Sequence, residues 1–223
     1  MSDKLKDWDY KSLLKITGII MKKGRNFDMS TTQPIRNKKN LEKFKNYYYT
    51  TAPNLRNCCI ITVGLNTALR INDILHLKYE DVFQDTKVRE HITVRERKTG
   101  KENRILLNKE VKRILAEYRN ELIHTEMYQS DNPYLFPSPR KKDAPLSRFQ
   151  AYRMISAAAQ AVGEEEHVSC HSLRKTFGYH AWKRGKDPMV IMVIFNHSSL
   201  DITKRYLCLE QDDKDAVYRD IAL

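Results

Sequence analysis

Six side chains in this 223-residue chain have the types and spacing to work on a phosphate ester. His171 and Arg174 share the stretch HSLRKTFGYH, and His197 stands in FNHSSLDITKRYL, nine positions before Tyr206. Arg70 closes LNTALR, and Lys98 sits in RERKTGKENR. Breaking a phosphodiester takes a nucleophile, an acid for the departing oxygen, and cations around the crowded phosphorus. Positioning and charge neutralisation do most of that work. Two arginines can supply the cations without a metal, because the guanidinium fork matches phosphate oxygens bidentately. A lysine can be the acid and a tyrosine the covalent nucleophile.

Each residue also has an ordinary role it could fill instead. Arg70 at a helix end could serve the last carbonyls of that helix. Lys98 at a hairpin tip could be plain solvated charge, and Lys101 is the fallback for the same position. His167, Cys170 and His171 spell H-x-x-C-H, but structural zinc takes four ligands in paired spacings and no fourth is evident. Tyr206 is one of twelve tyrosines, so only its spacing from His197 singles it out. Tyr179 and Tyr218 are poorer candidates. His180 and Trp182 read as packing residues.

The elements that must position these groups are mostly helical. NKKNLEKFKNYYY predicts a helix from Asn37, with Leu41, Phe44 and Tyr48 on one face. A more buried helix follows over 55–69, and INDILHLKYEDV predicts another over 71–82. Then the period changes to two. HITVRERKTGKENRILL alternates around Ile92 and Val94 and again around Ile105 and Leu107, a β-hairpin with a lysine-rich tip. The stretch 108–127 is amphipathic through Val111, Ile114, Leu115, Tyr118 and Leu122. After a proline-rich basic loop, SRFQAYRMISAAAQAVG predicts a helix capped by Ser147 and stopped at Gly163. The HSLR helix stops at Gly185, and Asp187–Pro188 starts the next one. Ser198 or Ser199 caps a short helix that carries Tyr206. A mixed-charge helix ends the chain. The fold class expected is mainly α with one small antiparallel sheet. Residues 1–30 read as an N-terminal extension and linker, with a short helix near 9–22. Residues 31–223 read as one domain with a helical tail from about 208.

Charge narrows the partner. Forty Lys and Arg against 28 Asp and Glu leave a formal net charge of +12, which points to a polyanion: nucleic acid first, an acidic membrane second. LLKITGIIM is too short to span a bilayer and holds Lys15, and no signal peptide is evident. Four cysteines without C-x-x-C fit free thiols in a reducing cytoplasm. Lys101, Arg140, Lys141, Lys142, Arg148 and Arg153 are the expected contacts to a nucleic-acid backbone.

The ordered set resembles the tyrosine recombinase (phage integrase) family: arginine, hairpin lysine, His-x-x-Arg, His or Trp, then tyrosine about nine positions on. The resemblance spans roughly residues 31–210. The family's Gly-[Leu/Phe]-Arg-[Ile/Ala]-Ser-Glu stretch is A-L-R-I-N-D here, with Asp73 in the acidic place and Ala68 where glycine is usual. What the resemblance implies is a catalytic domain that cuts and rejoins double-stranded DNA. Tyr206 would attack the phosphate, leaving a 3′-phosphotyrosine and a free 5′-hydroxyl. Arg70 and Arg174 would hold the non-bridging oxygens, and Lys98 would protonate the departing oxygen. His171 would act as base or relay toward Tyr206, and His197 would donate a hydrogen bond to the phosphate. Asp73 would orient Arg70 or the surroundings of His171. No metal or other cofactor is required.

The family works as a tetramer on two duplexes and is often monomeric when free. Its C-terminal tails often dock on a neighbouring protomer. Val217, Tyr218, Ile221 and Leu223 could form such a docking face, or pack on their own domain. Most members carry a DNA-binding domain of roughly 80–100 residues before the catalytic part, a single-domain size. About 30 precede it here, which fits either a catalytic domain alone or a fragment. Two other functions compete with site-specific recombination: relaxation of supercoils in the manner of a type IB topoisomerase, and regulation by DNA binding without cleavage.

Overall fold

The computed structural model describes residues 32–125, 132–208 and 211–221, all within the unit Thr31–Leu223. The helix expected near 9–22 lies outside the described residues, as does Leu223. Helix α1, Lys38–Asn46, starts at Asn37, whose side chain accepts hydrogen bonds from the Lys39 and Asn40 amides. It runs into a π-helical turn, Tyr47–Thr51, where Tyr48 is buried and its hydroxyl donates to the Met154 carbonyl at 2.9 Å. Helix α2, Leu55–Thr67, is capped by Asn54 and buried over almost its whole length. It packs on α5, Lys109–His124, and on α7, Cys170–Lys183.

The expected single helix over 71–82 is two short ones, α3 at Ile71–Leu75 and α4 at Tyr79–Val82. The chain between them leaves helical geometry to pair with a distant segment. The Leu77 carbonyl accepts from the Leu135 amide at 2.8 Å, and the Tyr79 amide donates to the Pro133 carbonyl at 2.9 Å. Asp81 then recaps the chain by accepting from the Lys78 amide. The apolar stripe over 71–82 is real, but the non-local pairing decides the backbone.

Among the described residues two small antiparallel sheets stand where one was expected. Strands β1, Phe83–Gln84, and β2, Lys87–Val88, form a short hairpin that the sequence pattern did not suggest. The expected hairpin pairs β3, His91–Arg95, with β4, Glu102–Leu106, setting Ile92 opposite Ile105 and Val94 opposite Asn103. Helix α5 buries the expected stripe of Val111, Ile114, Leu115, Tyr118 and Leu122. Helix α6, Arg148–Ala161, is capped by Ser147, which accepts from the Gln150 amide at 3.2 Å, and Gly163 follows with φ +72°. Helix α8, Pro188–Ile194, opens on Asp187, and α9, Leu200–Leu207, opens on Ser199 rather than Ser198. Helix α10 is Gln211–Asp220.

The buried side chains fall into two groups. The larger joins α1 to α7 with the β3–β4 hairpin. The smaller consists of Ala68, Ile191, Phe195 and Leu207, with Phe177, Trp182 and Tyr206 packed against it. Arg70 and Arg174 lie between members of the two groups.

Candidate active site

Arg174 is the centre of the arrangement. It is 1% exposed, the largest side chain so completely buried. Its guanidinium donates from Nη1 to the Ala68 carbonyl and from Nη2 to the Phe195 carbonyl. Both carbonyls come from turns. Ala68 adopts the left-handed conformation, φ +58°, that ends α2 and reverses the chain into Arg70. Phe195 caps α8, and its ring lies under the guanidinium at 4.5 Å. The Tyr206 ring is 5.8 Å from the same guanidinium. Burial, then repulsion from Arg70, lowers the Arg174 pKa to about 10, so it stays a cation at neutral pH.

Arg70 reaches the same space from the start of α3. Its Nη1 pairs with Glu96 Oε2, and the Glu96 side chain is wholly buried. Thr99 Oγ1 donates to the same carboxylate oxygen at 2.8 Å. Burial alone would raise the Glu96 pKa, but hydrogen bonds from Thr99 and Arg70 outweigh it and hold it low. Asn196 adds to that lowering, although its Nδ2 makes no hydrogen bond of normal geometry. Asp73 Oδ1 accepts from the Arg97 amide at 3.0 Å, so its bond goes to the hairpin rather than to the Arg70 side chain or His171. Burial raises the Asp73 pKa. Lys98 follows directly, exposed on the turn between β3 and β4.

His197 faces Tyr206, with ring centroids 4.7 Å apart. Its Nδ1 is 3.0 Å from Thr203 Oγ1, which leaves the other ring nitrogen for a ligand. Burial and the charges of Arg174 and Arg70 depress its pKa to about 4. His171, one turn before Arg174 on α7, is likewise depressed by burial and then by Arg148, Lys175, Arg174 and Lys98. Both imidazoles are therefore neutral at pH 7. Four buried polar atoms here have no hydrogen-bond partner among the described residues: Asp73 Oδ2, Glu96 Oε1, Arg174 Nε and Asn196 Nδ2. Buried polar groups are normally paired, so such a cluster marks a place prepared for a polar ligand or water.

A sequence model of the phage integrase family matches residues 36–212. That match takes in every residue just described. The chain belongs to the phage integrase family. It is 39% identical over 191 residues to the probable integrase/recombinase YoeC of Bacillus subtilis, covering 86% of this chain and 97% of that one. It is 30% identical over 153 residues to the tyrosine recombinase XerA of Pyrococcus furiosus, covering 68% of this chain and 50% of that one. It thus spans nearly all of the first relative and about half of the second. The fold is that of the XerA recombinase crystal structure, at TM-score 0.69 and 24% identity over 85% of this chain and 66% of that one. A structure of XerH site-specific recombinase bound to a palindromic difH substrate matches at TM-score 0.68 and 20% identity, over 85% and 53% of the two chains.

Within this integrase-family chain, the rivals to the candidate residues are placed elsewhere. Tyr179 is buried on α7 beside Trp182, and Tyr218 is 80% exposed on α10. His180 Nε2 lies 2.9 Å from the Ile35 carbonyl. His167, Cys170 and His171 gather no metal-ligand group among the described residues. The six expected DNA contacts, Lys101, Arg140, Lys141, Lys142, Arg148 and Arg153, are all exposed. They do not all line one cleft. Arg148 acts electrostatically on His171, and the Lys101 carbonyl accepts from the Glu96 amide. Arg140, Lys141 and Lys142 instead line a cleft of about 680 Å³ with Pro53, Tyr118 and Glu121, whose walls include none of the six candidate catalytic residues.

Sequence reasoning missed Glu96, Thr203, and the two carbonyls that hold Arg174. A signal for Glu96 was present. Strand parity turns Ile92 and Val94 inward, and Glu96 continues that parity with a carboxylate. Thr203 carried no comparable signal, because a threonine three residues before Tyr206 reads as an ordinary helix position.

Proposed function

We propose that this chain is a site-specific recombinase that cuts and rejoins double-stranded DNA through a 3′-phosphotyrosine at Tyr206. The observation that carries this is the packing of the Tyr206 and His197 rings, tilted at 56° to each other, beside a buried Arg174 whose Nε is unspent. Arg174 and Arg70 take the non-bridging oxygens of the phosphate. The Tyr206 hydroxyl oxygen attacks phosphorus, and its proton passes to neutral His171. The bond from phosphorus to the 5′-oxygen breaks, and Lys98 Nζ supplies that oxygen's proton. His197, fixed at Nδ1 by Thr203, donates from Nε2 to the phosphate. A 5′-hydroxyl from another strand reverses the steps, so the bond energy is kept in the phosphotyrosine.

The partner is duplex DNA, with four protomers on two duplexes during exchange. The exposed Val217 and Tyr218 of α10, with Ile221 just after it, are the proposed contact to a neighbouring protomer. The relatives' names, integrase/recombinase and tyrosine recombinase, support this reading. The proposed site of action is the cytoplasm, where the DNA substrate would be.

Covalent trapping tests the proposal. The protein is mixed with a pool of nicked duplexes carrying randomised sequence, denatured, and the attached DNA and peptide are identified. An adduct on Tyr206, absent in Tyr206→Phe, is the expected result. An adduct on another residue, or salt-sensitive binding with no adduct, overturns it.

A further inference from the structure

The β3–β4 turn carries Lys98 among exposed neighbours: Arg95, Arg97, Thr99 and Gly100 all face solvent. Glu96 is the exception, with no exposed side-chain surface. A hairpin that only needed to pack would place an apolar residue at this inward position, as it does at Ile92 and Val94. A buried carboxylate is costly unless charged and neutral donors hold it. Its donors come from two separate elements. Arg70 belongs to the turn between α2 and α3, and Thr99 belongs to the hairpin tip. The Glu96 amide donates to the Lys101 carbonyl, and the Gly100 amide donates to the Glu96 carbonyl, both at 2.8 Å, which closes the loop around Lys98. Arg97, the next residue, is held by Asp73 through its amide. The two residues before Lys98 are thus both tied to the 70–73 segment.

We propose that Glu96 is the positioning residue for Lys98: one buried carboxylate registers the hairpin tip on Arg70, so that the acid and the phosphate-binding guanidinium keep a fixed separation. This rests on the proposed role of Lys98 as the acid for the departing 5′-oxygen. Glu96 touches neither phosphate nor leaving group. It acts through Thr99 and the closed loop on one side and through Arg70 on the other. Among the described residues Lys98 Nζ has no hydrogen-bond or ion-pair partner, and it lies within electrostatic reach of His171 and His197.

A merely structural carboxylate would lower cleavage of every substrate alike, whereas a positioning residue for the acid should matter only when the acid is needed. The duplex captured on Tyr206 is therefore made in two forms, one with the normal 5′-oxygen and one with sulfur in its place. A thiolate leaves without a proton, since thiols ionise near pH 8.5, far more readily than an alcohol. With the oxygen substrate, Lys98→Ala should lose about 10²–10⁴-fold in cleavage rate, and Glu96→Ala about 10–100-fold. With the sulfur substrate, both should return to within about threefold of the unaltered protein. Rescue of Lys98→Ala but not of Glu96→Ala overturns the role of Glu96 alone. Failure to rescue Lys98→Ala overturns the acid assignment and this inference with it.

Two further measurements keep the inference exposed to refutation. Thr99→Val removes one of the two donors to Glu96 from an exposed side chain, and should show a smaller loss that sulfur also repairs; a loss that sulfur leaves in place counts against it. Without any DNA, amide hydrogen exchange at Arg97 and Gly100 should quicken at least about tenfold in Glu96→Ala while the α2 amides keep their protection. Unchanged exchange at both amides overturns the inference.

Discussion

The large core and the small cluster beneath Tyr206 are built on different terms. In the first, α2 packs on α5 while α6 packs on α3 and α7, and each large side chain removed from water is worth about 1.5–3 kcal/mol. The second buries Ala68, Ile191, Phe195 and Leu207, with charged Arg174 pressed against Phe195. There the placement is set by polar groups: two backbone carbonyls, a guanidinium and a pair of facing rings. Met189, Val190 and Val193 on α8 remain exposed, so much of that helix's apolar surface adds nothing to the cluster. One region therefore supplies stability and the other supplies geometry. Damage to each should be read by a different instrument.

The sharpest contrast pairs Arg174→Lys with Leu115→Ala. Lysine keeps the charge but cannot hold both the Ala68 and Phe195 carbonyls and still offer a fixed donor, as Arg174 Nε does, to phosphate. Cleavage should fall by about 10²–10³-fold, the loss seen when one preorganised transition-state donor is removed. Leu115, 1% exposed on α5, should cost about 2–5 kcal/mol of stability as alanine. The folded fraction of Leu115→Ala should still cleave at nearly the normal rate. Urea unfolding and trapping rates on both variants check this. A Leu115→Ala protein that is stable but inactive would break the division.

Two glycines give a closer comparison. A Cβ on Gly64 would meet Leu173 Cδ1 at 2.5 Å, inside the large core. A Cβ on Gly178 would meet Phe195 Cζ at 2.7 Å and Cε2 at 2.9 Å, and that ring lies beneath Arg174. Overpacking costs about 1–3 kcal/mol in either place. Gly64→Ala should show that cost as lower stability with activity retained. Gly178→Ala should move Phe195, and with it the carbonyl that holds Arg174, so its trapping rate should fall by about tenfold or more, as small misplacements do.

How much of this the sequence disclosed follows the same division. The stripe of α5, the ends of α6 at Ser147 and Gly163 and the β3–β4 hairpin were legible because local periodicity and capping decide them. The break at 76–78 was not, because pairing with residues 133–135 decides it. At the site, Arg70, Lys98, His171, Arg174, His197 and Tyr206 could be picked out by type and order. Their supports could not. The Ala68 and Phe195 carbonyls have no side-chain signature, and Thr203 matters only through a 3.0 Å approach to His197.

Acid should probe the small cluster before the large core. His197 has a folded pKa of about 4, below the ordinary histidine value near 6.5. As pH falls through 6.5 the unfolded chain takes up the proton first, so stability present above 6.5 is lost progressively toward pH 4. His171, also depressed, acts in the same direction. Glu96 has a lowered pKa, and its contribution is present above its unfolded value near 4.5 and fades only below it. Between pH 6.5 and 4.5 the histidines therefore dominate. Arg174, Arg70, Lys98 and Glu96 are the charged groups acting on His197. The urea midpoint should decline over that window, and His197→Gln should flatten the decline. An unchanged slope in His197→Gln would show that the imidazole is already solvated.

The smallest expected effect is at Ala68, where two terms oppose each other. Its left-handed conformation, φ +58°, costs a residue with a Cβ about 1–2 kcal/mol. Glycine would relieve that strain but would lose a buried methyl, worth about 0.8 kcal/mol. It would also gain freedom in the unfolded chain, worth about 0.4–1 kcal/mol against folding. The sum is close to zero, so Ala68→Gly should leave stability within about 0.5 kcal/mol. The carbonyl that Arg174 uses is a backbone group and survives the change, so cleavage should hold as well. A gain above about 1 kcal/mol would mean that the methyl packs weakly and strain is stored at the turn. A loss of that size would mean the opposite: the methyl props Phe195, and the small cluster depends on apolar contact more than its few members suggest.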